Sequence, residues 1–103
     1  MIIFVDIDYT ICWNISVGGG SIPPDYSNAR PYPERIKKIN GLFDNGHEIV
    51  YWTARGTMTG NNWFKLTQEQ LNDWGCKYTE LRMGKPAYDM FIDDKNISSE
   101  AFF

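Results

Sequence analysis

Cysteine is scarce in this chain of 103 residues: Cys12 and Cys76 are the only two. They lie far apart, so they read as buried thiols rather than as a disulfide framework or a metal pair. Basic runs are missing as well. The formal net charge is −3, the opposite of what a protein gripping nucleic acid by its phosphates needs, so a general polyanion binder is not expected. No window of about 18 apolar residues occurs, so no membrane span is expected. Residues 1–6 carry no basic flank, and their apolar run is too short for a signal peptide. A cytoplasmic protein fits these absences. Asn14-Ile15-Ser16 and Asn96-Ile97-Ser98 match the glycosylation pattern, and without a secretory signal both read as chance. Neither repeats nor low-complexity segments are visible.

The length fits one domain over residues 1–103 with a modest core. Six Phe, six Tyr and four Trp supply large apolar surfaces. Residues 2–5 form a continuous apolar run, the mark of a strand buried on both faces. Residues 13–33 differ: Gly18, Gly19, Gly20, Pro23, Pro24, Pro31 and Pro33 forbid a long helix and suggest a short hairpin or flap. A helix follows, with Pro33 and Glu34 in its first turn. Ile36, Ile39, Leu42 and Phe43 share one face, and Asn45-Gly46 is the stop. Residues 48–53 read as a strand and 54–62 as a loop. Thr67 and Gln70 have capping-box spacing before Leu71 and Trp74, and Gly75 is the stop. Residues 76–81 could form a short strand, 83–86 a turn, and 88–92 a last apolar strand. This order predicts an α/β domain with a mostly parallel sheet.

Ligands of open α/β sheets bind at the carboxyl ends of the strands. Asp6 and Asp8, Thr53 to Arg55, and Asp93 and Asp94 all follow predicted strands, which puts them along one edge. Asp6 and Asp8 have strand spacing, so their side chains start on the same side of the chain. Four carboxylates brought together repel, by roughly 4 kcal/mol per pair at about 4 Å and an effective dielectric of about 20. Such a cluster needs a cation, and oxygen-only ligands point to Mg²⁺. The plain alternative is that these aspartates cap turns or helices. Thr53 and the following N–H groups could form an anion nest, or end a strand as an ordinary turn. Arg55 is either a solvated charge or a fork for substrate oxygens. Lys85, in a stiff turn, is either solvated or a counter-ion for phosphate.

These elements, in this order, resemble the haloacid dehalogenase superfamily of phosphotransferases. Asp6-Ile7-Asp8-Tyr9-Thr10 is similar to its first motif, Thr53 to its second, Lys85 to its third and Asp93-Asp94 to its fourth. Further segments, among them Thr53-Ala54-Arg55-Gly56, Gly84-Lys85-Pro86 and Ile92-Asp93-Asp94-Lys95, resemble a subgroup associated with capsule and surface-polysaccharide genes. The resemblance implies a three-layer Rossmann-like domain whose only covering element is the 13–33 flap. It implies a cytoplasmic, Mg²⁺-dependent phosphomonoesterase acting on a small phosphorylated metabolite, such as a sugar or polyol phosphate. Asp6 would be the nucleophile and Asp8 the general acid and base. Asp6, the Asp8 carbonyl, and Asp94 or Asp93 would hold the metal. Thr53, Lys85 and the N–H groups of Ile7 and Ala54 would hold the phosphoryl oxygens.

Tyr9 departs from the pattern, because glycine is frequent at that place in the superfamily. A bulky residue there alters the turn or contacts substrate. Trp13, Tyr26 and Arg30 on the flap are further candidate contacts, and packing against the sheet edge is the simpler reading of Trp13 and Tyr26. The small core makes a homo-oligomer plausible. A phosphorelay receiver domain uses similar residues in a different order, with the acidic pair first. A non-catalytic phosphate-binding module and a polynucleotide or nucleotide phosphatase are the remaining alternatives.

Overall fold

Three parallel strands form the main sheet of the computed structural model, which describes residues 1–15 and 25–103. They are β1 (Ile2–Val5), β4 (Glu48–Trp52) and β5 (Glu80–Arg82), in the order β1-β4-β5. Ile3 pairs with Ile49, and Tyr51 pairs with Val5 on one side and Leu81 on the other. Between them run α1 (Pro33–Asp44) and α2 (Phe64–Asp73). A short antiparallel ribbon joins β2 (Cys12–Trp13) to β3 (Arg30–Pro31), and α3 (Ser99–Phe102) closes the chain. The ribbon flanks the segment in which a hairpin or flap is expected. Gly18, Gly19, Gly20, Pro23 and Pro24, which carried that expectation, lie outside the described residues.

Both crossovers step the same way along the sheet, and right-handed connections then place both helices on one face. Ile3, Val5, Ile49, Tyr51 and Leu81 point into that face, where they meet Ile36 and Ile39 of α1 and Leu71 of α2. α1 has the expected limits: Pro33 opens it, Glu34 sits in its first turn, and its end turns on Asn45 and Gly46. The N–H groups of those two residues bond to the carbonyls of Gly41 and Phe43, and Gly46 takes a φ of +93° that a side chain would resist.

Three expectations fail. β1 is not buried on both faces, since Ile2 is 66% exposed and Phe4 47%; no helix covers that side among the described residues. Phe4 packs edge-on to Trp52 at 5.7 Å, with the Arg82 guanidinium 5.2 Å from its ring. Residues 88–92 form no strand. Without a hydrogen-bonded partner their apolar character has no ladder to join, and Ile92 stays 89% exposed. Thr67 and Gln70 are not a capping box: α2 begins at Phe64, so both lie inside the helix and point inward.

Candidate functional site

The turn after β1 is pinned from below. Ile7 and Ile11 are fully buried, and the N–H groups of Thr10 and Ile11 both bond to the Ile7 carbonyl, at 3.1 and 2.9 Å. With these apolar side chains in the core, Asp6, Asp8 and Tyr9 line a pocket of about 290 Å³. Tyr9 closes the turn, its N–H bonding to the Cys12 carbonyl at 2.7 Å. Its φ is +62°, the one non-glycine residue with positive φ among those described. That conformation costs a side-chain-bearing residue about 1–2 kcal/mol, which explains why glycine suits the position.

Thr53 and Ala54, beyond the end of β4, reach the same pocket, as do Lys85, Pro86, Ala87 and Tyr88. The Lys85 N–H bonds to the Thr53 carbonyl at 3.1 Å and the Thr57 hydroxyl to the Lys85 carbonyl at 2.8 Å. These bonds hold the Lys85 turn against the end of β4. The Lys85 Nζ lies 3.3 Å from the Asp6 Oδ1, and the Asp6 Oδ2 accepts from the Thr10 hydroxyl at 3.2 Å. Burial pulls the Lys85 ammonium down, but the Asp6 carboxylate and the Tyr88 hydroxyl outweigh it and leave its pKa raised. Thr53 Oγ1 accepts from the Arg55 N–H at 3.1 Å and keeps its own proton to donate.

Asp8 is held by Arg55. The guanidinium donates from Nε to Oδ2 at 3.0 Å and from Nη2 to Oδ1 at 2.9 Å, a bidentate fork. Its Nη1 donates to Thr67 at 3.1 Å and to Gln70 at 2.6 Å. Asp8 Oδ1 also accepts from the Asn14 amide at 2.8 Å. Arg55 is only 3% exposed, and its face lies 4.7 Å from the Tyr26 ring. The Gln70 amide ties down the Tyr26 carbonyl at 2.7 Å. Cys12 is fully buried beside this pair. Desolvation first, then the Asp8 charge, push its thiol up to about 12.

The expected charge balance therefore takes a different form. Asp6 faces Lys85 and Asp8 faces Arg55, so protein cations offset both carboxylates. Arg55 is neither solvated nor a fork for substrate oxygens, because its five donors go to Asp8, Thr67, Gln70 and the Cys12 sulfur. Asp93 and Asp94 do not line the pocket; without a strand at 88–92 nothing carries them to Asp6. Ile7 contributes no side chain to it. Tyr26 lines the pocket, while Trp13 and Arg30 face each other across the β2–β3 ribbon and do not. Asn14 and Tyr88 were missed. Asn14 gave no local signal, whereas Tyr88 stands three residues after Lys85 and could have been included.

No protein-family model matches the chain, and no curated protein does. A crystal structure of a structural-genomics target from Vibrio cholerae is similar to it, with a TM-score of 0.78 and 27% identity over 98% of this chain and 85% of that one. What the two demonstrably share is an α/β architecture with a parallel sheet.

Proposed function

We propose that this chain is a haloacid dehalogenase-like phosphomonoesterase of the minimal, cap-less kind, working through an aspartyl-phosphate. The supporting observation is one pocket lined by Asp6, Asp8, Thr53 and Lys85, residues that match the first three motifs in order. A phosphate ester would enter with its phosphorus beside the Asp6 oxygens. One Asp6 oxygen forms a bond to phosphorus while the bond to the leaving oxygen breaks. The leaving oxygen takes up a proton, and water then cleaves the aspartyl-phosphate, restoring Asp6 and releasing phosphate. The Lys85 ammonium and the Thr53 hydroxyl would stabilise charge spread over the phosphoryl oxygens. Thr10 would aim Asp6 by holding its second oxygen.

Asp8 is the proton carrier in this reading. Both of its oxygens accept hydrogen bonds from Arg55, and Oδ2, which accepts only from Arg55 Nε, keeps a second lone pair that can carry the proton. Mg²⁺ belongs to the reading as the ion that would ease the approach of one anion to another. The described residues do not fit it as they stand. Of the groups the resemblance assigns to the ion, Asp6 is paired with Lys85 and Thr10, Asp93 and Asp94 do not line the pocket, and no group of three acidic, His or Cys residues is assembled among the described residues. A sugar or polyol phosphate from surface-polysaccharide assembly remains the proposed substrate.

The bidentate hold of Arg55 on Asp8 favours a second reading, a phosphate-binding module without turnover. A screen of sugar, polyol and nucleotide phosphates, with Mg²⁺ and after chelation, separates the two. Phosphate release that vanishes in Asp6→Asn supports the enzyme. Phosphate binding without release from any ester would leave the module.

A further inference from the structure

Tyr9 has no task in the chemistry above, yet it holds an unfavourable backbone conformation, with φ at +62°. Its surroundings offer little in return. The side chain is 51% exposed, and the aromatic pairs of the described residues involve other rings. Two more tyrosines line the same pocket, and both are engaged. Tyr26 lies edge-on to Trp63 at 5.1 Å, with Arg55 against it at 4.7 Å. Tyr88 packs on Phe91 at 5.2 Å, with the Lys85 ammonium 5.4 Å from its ring. Tyr9 is thus the pocket's unpaired aromatic ring among the described residues. A strained residue at a ligand-sized pocket points to a role in that pocket.

We infer that Tyr9 is a specificity-determining residue whose ring receives the flat face of a cyclic leaving group. The substrate class is then phosphomonoesters of ring compounds, in preference to open-chain polyol phosphates. The inference rests on the phosphomonoesterase reading. Asp6 and Lys85 would take the phosphate, while Tyr9 and the apolar wall of Pro86 and Ala87 take the group it leaves. A pyranose offers a C–H face and an aryl ring a π face; both are flat and weakly polar, and both pack on tyrosine.

The test compares a hexopyranose phosphate, p-nitrophenyl phosphate and glycerol phosphate as substrates of the wild type, Tyr9→Gly and Tyr9→Phe. Tyr9→Gly should lower the ring-to-open-chain ratio of kcat/KM about tenfold, chiefly through KM, with Tm held or raised because glycine relieves the turn. Tyr9→Phe should keep the ratio. Loss on the pyranose alone identifies a sugar ring, loss on the aryl ester alone an aromatic one. Equal changes on all three compounds, or none, overturn the inference. If the wild type turns over none of them, the phosphomonoesterase reading fails separately. Calorimetric titration of the same compounds then reads the Tyr9 preference as binding, and equal affinities in wild type and Tyr9→Gly overturn it.

Discussion

The acidic residues after β1 and those after Ile92 follow similar apolar runs, yet the two ends of the molecule have different fates. Ile2–Val5 pairs with β4 along its whole length, and the turn beyond it is anchored by Ile7 and Ile11 in the core. Asp6 and Asp8 are thereby presented to Lys85 and Arg55. Residues 88–92 have no strand to pair with among the described residues, and Asp93 and Asp94 end in an exposed turn. An apolar run followed by acids is thus a permissive signal. It becomes a strand with aimed carboxylates only where a sheet edge and a buried turn are ready to hold it.

The sharpest way to break this comparison is at Asp6. Asp6→Asn should lower phosphate release by about a thousandfold or more; full activity would remove the nucleophile from the first acidic end. Arg55→Ala should come next, on stability. It leaves Asp8, Thr67 and Gln70 without their shared partner, which costs about 3–5 kcal/mol, readable as a lower denaturation midpoint. Arg55→Lys should recover only part of this, since an ammonium cannot form the fork.

The second acidic end should behave otherwise. Asp93→Asn and Asp94→Asn should each change stability by no more than about 0.5 kcal/mol, as exposed substitutions do. If either nevertheless abolishes turnover with Tm unmoved, the second end reaches the pocket during turnover. Mg²⁺ titration of the same variants would show whether it does so through the metal.

A separate effect on stability is expected in alkali. The Cys12 thiol is raised from 9.0 to about 12, so the unfolded chain loses that proton first. Its contribution to stability is intact below about pH 9 and falls as pH rises toward 12. Lys85, raised above 10.5, contributes in the same direction: the advantage is held below that value and lost above it. Tm measured from pH 8 to 11 should decline, and less steeply in Cys12→Ala.

Much of the framework was legible beforehand. Pro33, the Ile36–Ile39 spacing and Asn45-Gly46 define α1 because they are local signals acting within one or two turns. Asp6, Asp8 and Thr53 were legible because strand ends of a parallel sheet converge on one edge, and Lys85 through its place in the motif order. Arg55 was not, since a buried guanidinium and a solvated one look alike in sequence. Thr67 and Gln70 misled for a related reason: polar residues three apart suit a helix start and equally suit an inward-facing stripe. Their partner, Arg55, is 12 and 15 residues away.

What this sequence determined by itself is the set of strands and helices whose residues carry their own periodicity and stops, together with Asp6, Asp8 and Thr53 placed after strands. Only the tertiary structure decided which charge meets which. Lys85 went to Asp6, Arg55 to Asp8, Tyr9 into a left-handed turn and residues 88–92 to the surface. The reason is physical: propensity and capping act between near neighbours, whereas ion pairing and burial depend on what the rest of the chain brings within a few ångströms.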